Sequence, residues 1–135
     1  MNNMKRASAL LFAALIASAA LVACGSPGTV IEIDITDKRT AEFLQNGKVI
    51  TEIRVKAGQP YVFRVKNPFN NDHNFFIGQK ADLAAQEYSR LVGITLWSSG
   101  TKEMTYTFKP GDVLQFACTL AGHYSPMHGD FIVDG

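Results

Sequence analysis

A cysteine, a histidine and a methionine stand close together near the end of the chain, where Cys118, His123 and Met127 follow the pattern Cys-x4-His-x3-Met. A further histidine, His73, lies far upstream. Together the four side chains offer one thiolate, two imidazoles and one thioether. Thiolate and thioether stabilise Cu(I) and imidazole suits Cu(II), so the set tolerates both oxidation states of copper. The four residues therefore predict a site for one copper ion that transfers single electrons.

Each of these residues alone is weak evidence for a metal site. A lone cysteine on a strand is usually a small buried apolar residue. The combination favours a metal because four soft and borderline ligands rarely meet in this spacing by chance. Structural zinc is the alternative, but zinc prefers cysteine, histidine or carboxylate ligands, and Met127 is a poor fourth ligand for it.

His128, the chain neighbour of Met127, could compete for the fourth ligand position. Successive residues of an extended chain point to opposite sides. If Met127 faces the metal, His128 is expected to face solvent and to take no part in metal binding.

Short strands have to position these residues. Residues 29–36 alternate strictly, with Ile31, Ile33 and Ile35 on one face, which is the pattern of a half-buried strand. Alternation and turn residues predict further strands at 49–56, 61–66, 74–77, 101–108, 113–118 and 131–133. The spacing of apolar residues predicts one helix over 81–91, and a single helical turn is expected over 41–44.

Several short strands at regular spacing favour an all-β sandwich or barrel with one short helical insertion. Nine phenylalanines and four tyrosines supply large side chains for its core. About 110 residues can bury such a core without disulfides. We therefore expect one domain over residues 29–135, in which Trp97 is a packing residue.

The first residues predict an export signal. Lys5 and Arg6 precede an apolar stretch over 9–22, which is the pattern of a secretory signal and is shorter than the roughly 20 residues of a membrane-spanning helix. The run from Leu21 to Cys24 resembles the bacterial lipobox. We expect residues 1–23 to be a lipoprotein signal peptide and Cys24 to be lipidated, with 24–28 as a short linker. The alternative is a plain signal peptide with an incidental cysteine.

Lipidation of Cys24 and removal of this leader affect the cysteines and the net charge of the mature chain. Lipidation consumes the thiol of Cys24, so a disulfide between Cys24 and Cys118 is not expected. Of the thirteen basic residues only Lys5 and Arg6 lie in the leader, so eleven stand against twelve acidic residues in the mature chain. This near-neutral balance excludes the basic stripe of a nucleic-acid-binding protein. The predicted location is the periplasmic or extracytoplasmic side of a membrane, held there by the lipid.

The stretch from Phe116 to Met127 resembles the copper loop of the cupredoxins, the blue copper protein family, with the ligand spacing of its azurin-like members rather than of its plastocyanin-like ones. The segment Asp72-His73-Asn74-Phe75 is similar to the family's upstream ligand segment. Lys56-Ala57-Gly58-Gln59 and Phe63-x-Val65-x-Asn67 resemble its preceding strands. The resemblance covers residues 29–135 and implies a Greek-key β-sandwich with copper at one end.

The resemblance also implies a role for each site residue. His73, Cys118 and His123 would form a trigonal plane around copper, and Met127 would be the long axial ligand. Asn74 would tie the two ligand loops together, with its backbone N–H aimed at the cysteine sulfur. Thr119 follows the cysteine and would take part in the same hydrogen bonding. Ala121 stands where many members have proline, which implies a less stiff loop.

The function predicted from this site is one-electron transfer between extracytoplasmic redox proteins by a monomer. The chain has three histidines, too few for the second copper centre of a cupredoxin enzyme, so no enzymatic activity is expected. Tyr124, Pro126 and Met127 favour an apolar docking patch around His123. The alternative function is copper buffering or delivery by the same ligands. A Met- or His-rich donor tail would favour delivery, and this sequence contains none.

Overall fold

The computed structural model of the chain describes residues 27–36 and 40–135. Cys24 and the predicted signal peptide lie outside these residues. Within them, no helix is long and apolar enough to cross a membrane.

Ten strands form two five-stranded sheets that pack face to face. In chain order they are β1 (Thr29–Thr36), β2 (Glu42–Gln45), β3 (Lys48–Val49), β4 (Glu52–Lys56), β5 (Pro60–Asn67), β6 (His73–Gly78), β7 (Val92–Trp97), β8 (Gly100–Thr107), β9 (Gln115–Ala117) and β10 (His128–Asp134). The first sheet has the order β3-β2-β1-β5-β8 and the second the order β4-β10-β9-β6-β7. The predicted all-β sandwich is confirmed.

A helical insertion joins β6 to β7. It consists of helix α1 (Lys80–Ala85) and a one-turn 3-10 helix (Tyr88–Arg90). The helix predicted over 81–91 is therefore shorter than expected. It ends because Gln86 adopts the left-handed conformation, with φ 57° and ψ 39°, and its backbone N–H bonds to the carbonyls of Asp82 and Leu83.

The helical turn expected over 41–44 is wrong. Residues Glu42–Gln45 are a strand that pairs antiparallel with β1, and Ile35 lies opposite Phe43. Phe43 is 1 % exposed. Burying one aromatic side chain contributes about 1.5–3 kcal/mol, more than the few tenths by which local preference separates helix from strand.

The strand predicted over 49–56 is two strands in different sheets. Lys48–Val49 pairs with β2 in the first sheet, whereas Glu52–Lys56 pairs parallel with β10 in the second. Strand β7 was not predicted. Ile94 and Trp97 are its buried hydrophobic residues and Leu96 is exposed, so the apolar residues of β7 do not alternate with polar ones.

Phenylalanine rings from both sheets form the centre of the core. Phe63 of the first sheet meets Phe131 of the second edge to face, with ring centroids 5.6 Å apart. Phe75 and Phe116, on neighbouring strands of the second sheet, stack at 6.0 Å. Offset and edge-to-face contacts of this kind stabilise aromatic cores beyond the area they bury.

The strand directions distinguish the two ends of the sandwich. Strand β6 begins with His73, and β9 ends directly before Cys118, so both residues lie at the end we call the metal end. Strand β5 runs toward this end, because the side chain of its last residue, Asn67, donates to the carbonyls of Asn71 and Ser98 beside β6 and β7. Strand β1 is parallel to β5. The chain therefore enters β1 at the opposite end.

Candidate metal centre

Three side chains with metal-binding atoms converge at the metal end. His73 opens β6, Cys118 follows β9, and His123 lies in the loop that leads to β10. Their ligand atoms all lie within 4.8 Å of one another. The Cys118 Sγ is 3.9 Å from Nδ1 of His73 and 3.6 Å from Nδ1 of His123. Both imidazoles thus present the same nitrogen to the sulfur.

These distances fit a shared metal ion. A first-row ion lies about 2.3 Å from a thiolate sulfur and about 2.1 Å from an imidazole nitrogen, so a trigonal angle separates the two donors by about 3.8 Å. The two measured separations, 3.6 and 3.9 Å, fall on either side of this value. A thiolate with two imidazoles is the trigonal donor set of copper in electron-transfer sites. The donor set therefore indicates one copper ion.

The three side chains differ in their exposure to solvent. His73 and Cys118 are both 0 % exposed, whereas His123 is partly exposed. The two imidazole rings lie 5.1 Å apart at 40° to each other. Solvent and partner molecules can thus approach the cluster through the edge of His123.

The loop from Cys118 to Met127 is closed by its own backbone. The N–H of Cys118 donates to the carbonyl of Met127, and the N–H of Met127 donates to the carbonyl of His123, both at 2.9 Å. The side chain of Met127 is 0 % exposed and belongs to the same buried cluster as Cys118. Its predicted place in an exposed docking patch is therefore wrong, because the loop turns this side chain inward.

Asn74 and Thr119 join the two segments that carry His73 and Cys118. The Asn74 Oδ1 accepts a hydrogen bond from the backbone N–H of Thr119 at 2.7 Å. The Asn74 Nδ2 donates to the Thr119 Oγ1 at 3.0 Å. Both side chains are buried. This double contact holds the chain directly after Cys118 against the chain directly after His73.

No family model matches the chain, and no curated protein matches it. Solved structures do match. Auracyanin A, a "blue" copper protein from Chloroflexus aurantiacus, is 24% identical with a TM-score of 0.61, over 80% of this chain and 100% of that chain. Auracyanin from Roseiflexus castenholzii is 22% identical with a TM-score of 0.64, over 80% and 98%.

Rusticyanin from Thiobacillus ferrooxidans is 17% identical with a TM-score of 0.60, over 80% of this chain and 79% of that chain. These proteins are cupredoxins. The chain has the cupredoxin fold. The resemblance inferred from the ligand loop and the preceding strands is thereby confirmed at the level of the fold.

The thiol of Cys118 lies in an environment that opposes its ionisation. Burial raises the pKa of Cys118, while hydrogen bonds from the backbone N–H groups of Asn74 and Leu120 lower it and only partly offset the burial. Because a metal binds the thiolate, metal uptake has to release the thiol proton. The same two N–H groups then face the charged sulfur and stabilise it.

His128 makes contacts that occupy one of its ring nitrogens. Its Nδ1 lies 3.0 Å from the carbonyl oxygens of both Tyr124 and Ser125. Two acceptors at this distance require a proton on Nδ1, which prevents this nitrogen from binding a metal. The ring also stacks on that of Tyr124, with centroids 5.0 Å apart at 11°. In the cupredoxin fold of this chain His128 therefore packs beside the ligand loop.

Two residues near the site were missed by sequence reasoning. Gln86 Nε2 donates to the backbone carbonyl of Thr119. The hydroxyl of Tyr88 shares a hydrogen bond of 3.3 Å with Thr119 Oγ1. Both belong to the helical insertion, and nothing in their spacing from Thr119 along the sequence indicates the contact. It becomes visible only when the cupredoxin fold brings residues 80–90 beside β9.

Proposed function

We propose that this chain is a type 1 copper protein that carries single electrons between redox partners. His73, Cys118 and His123 would hold the copper ion, and Met127 would offer it a thioether as a fourth ligand. The observation that carries this proposal is the pair of Nδ1 atoms 3.9 and 3.6 Å from a fully buried cysteine sulfur. The fold supports it, since structures of the same fold include a "blue" copper protein.

The copper ion supplies the one-electron couple, and the protein supplies a rigid site for it. His73 lies on a strand of the sandwich and Cys118 directly follows one. The hydrogen bonds between Asn74 and Thr119 restrict the movement of Cys118. A site held in this way needs little rearrangement when the charge on the metal changes. Burial of His73 and Cys118 would keep water from the ion. The partly exposed His123 would be the route for electrons to and from a partner.

The proposed function includes no bond-making chemistry. In residues 27–36 and 40–135, groups of three or more metal-binding side chains of the histidine, cysteine and carboxylate types occur at this one place. His128 is bonded to backbone carbonyls. A cupredoxin enzyme needs a second copper centre to bind its substrate, and the remaining histidine is not placed to build one.

We further propose that the protein is exported and anchored by a lipid on Cys24. Residues 25–28 would then join the lipid to β1 over about 15 Å at most, at roughly 3.5 Å per residue. The chain enters β1 at the end of the sandwich opposite the metal end, and the eight residues of β1 span about 25 Å. The copper site would thus face away from the membrane, toward soluble or protruding redox domains.

The test is an absorption and EPR spectrum of the purified full chain with one equivalent of Cu(II), beside that of Cys118→Ser. Ligand-to-metal charge transfer from a thiolate gives an intense visible band, which we expect in the wild type and not in the variant. His128→Gln is the matched control and should keep the band. A pale wild-type spectrum, or one unchanged by the loss of Cys118, would refute the type 1 copper site.

A further inference from the structure

The helical insertion contacts the chain on both sides of Cys118. Leu83 of α1 is 0 % exposed and forms a buried cluster with Phe76 and Ala117, the residue before the cysteine. Gln86 and Tyr88 bond to Thr119, the residue after it. The insertion therefore holds the cysteine segment by an apolar contact on one side and by polar contacts on the other.

Every polar group of Thr119 has a partner. Its N–H donates to Asn74 Oδ1, its carbonyl accepts from Gln86 Nε2, and its Oγ1 bonds to both Asn74 Nδ2 and the Tyr88 hydroxyl. Thr119 is 2 % exposed. A buried residue bonded from three side chains has little freedom to move, and it fixes the position of the cysteine beside it.

Gln86 is an unusual residue for its backbone conformation. With φ 57° and ψ 39° it occupies the left-handed region at the end of α1, where glycine is the usual residue because it has no Cβ. The backbone N–H of Gln86 ends the helix, and any residue could supply that group. What glutamine adds at this position is the amide that reaches Thr119.

We propose that Gln86 and Tyr88 are positioning residues of the copper centre. They hold Thr119, and through it the Cys118 sulfur, in one place while the metal changes oxidation state. The hydrogen bonds described for both side chains go to Thr119, the residue after Cys118. This role rests on the copper site proposed above, and it assigns the helical insertion a function beyond joining β6 to β7.

Two variants and one control separate positioning from folding. Gln86→Gly removes the amide, which costs stability, but relieves the left-handed backbone, which restores it, so the thermal midpoint should change little. Tyr88→Phe removes the hydroxyl and keeps the ring, which lies 5.5 Å from that of Phe76. Glu87→Ala is the matched control, since Glu87 lies between the two and its side chain is exposed. All are made in the full chain.

Two readouts are needed, one without metal and one with it. In the metal-free protein, the Thr119 amide should exchange its hydrogen at least about tenfold faster in Gln86→Gly and Tyr88→Phe than in wild type, because each variant loses one of the bonds that restrain Thr119. In the copper-loaded protein, both variants should bind copper about 10- to 100-fold more weakly, the usual effect of removing a group that orients a ligand. Glu87→Ala should match wild type in both.

The proposal is overturned if Gln86→Gly and Tyr88→Phe leave both amide exchange and copper affinity as in wild type. It is also overturned if Glu87→Ala weakens copper binding as much as they do, because the effect would then belong to the insertion in general. A wild-type protein that binds no copper would refute the copper site, and amide exchange at Thr119 would still decide whether Gln86 and Tyr88 restrain this residue.

Discussion

The phenylalanine core and the metal end of this cupredoxin fold are held by different kinds of contact. In the core, Phe63 packs against rings from both sheets, and its partners include Phe75 and Phe131 at centroid distances of 5.9 and 5.6 Å. At the metal end, Asn74 and Thr119 make directed hydrogen bonds of 2.7 and 3.0 Å. The core contacts are apolar and non-directional, whereas those at the site specify individual atoms.

This difference predicts how the two regions respond to change. Apolar packing contributes free energy in proportion to the area buried, so a truncated core side chain lowers the stability of the whole domain. A lost hydrogen bond at the site contributes less to stability but moves a ligand. Variants of the core should therefore change unfolding more than the spectrum, and variants of the metal end should do the reverse.

The largest effect on stability is expected from Phe63→Ala. Phe63 is 0 % exposed, and its removal leaves a cavity between the sheets, which should cost about 3–5 kcal/mol of the unfolding free energy. Urea unfolding of the metal-free protein measures this. The copper spectrum of the folded protein should be unchanged. Val113→Ala is the control at a site 86% exposed and should be close to neutral. An equal loss of stability in both variants would show that burial of Phe63 does not stabilise the core.

Asn74→Ala should lower both the stability of the fold and the affinity for copper. It removes the partners of two polar groups of the buried Thr119, which should cost about 1–3 kcal/mol of stability and about 10- to 100-fold in copper affinity. A competition titration against a copper chelator measures the second effect. Asn70→Ala changes an exposed asparagine in the preceding loop and should do neither. Unaltered copper affinity in Asn74→Ala would show that its hydrogen bonds do not position the site.

Met127→Leu should separate packing from ligation. The two side chains have similar volume, so the metal-free protein should lose less than about 1.5 kcal/mol of stability. The thioether is absent from leucine, so copper EPR parameters and the reduction potential should shift while the charge-transfer band persists. Chemical denaturation and a spectroelectrochemical titration give the two quantities. A variant with the wild-type potential and EPR spectrum would remove Met127 from the ligand set.

The smallest effect is expected from His128→Gln. His128 bonds to two carbonyls and stacks on Tyr124 outside the ligand cluster, so its loss should cost about 1 kcal/mol or less and leave the copper spectrum as it is. Thermal unfolding and EPR test both parts. A changed EPR spectrum would mean that His128 reaches the metal when copper is bound.

Local patterns predicted much of this molecule. The alternation of Ile31, Ile33 and Ile35 gave β1 its correct bounds, Thr29–Thr36, because alternation directly reports which face is buried. The spacing of Cys118 and His123 predicted that their side chains lie close together, because both lie within one turn of chain, and the structure places the Sγ and Nδ1 atoms 3.6 Å apart. His73 was predicted from its residue type and then from the resemblance to a known family, since its distance from Cys118 along the sequence says nothing about proximity.

The misses share a physical cause, which is that distant chain segments decided the local structure. Glu42–Gln45 is a strand because β1 lies beside it and Phe43 is buried in the core. The chain after Val49 crosses to the other sheet because β10 is there to pair with Glu52–Lys56. The contact of Gln86 with Thr119 joins residues 33 positions apart. None of these partners can be read from the segment itself.

Repeated one-electron cycling of the copper-loaded full chain tests most directly whether this protein carries electrons. Voltammetry with simultaneous absorption should give a reversible one-electron wave, with the charge-transfer band bleaching on reduction and returning fully on reoxidation. Copper should stay bound throughout, even beside a Cu(I) chelator. Loss of copper to the chelator on reduction, or an irreversible wave, would contradict the electron-transfer function and favour a protein that buffers or delivers copper.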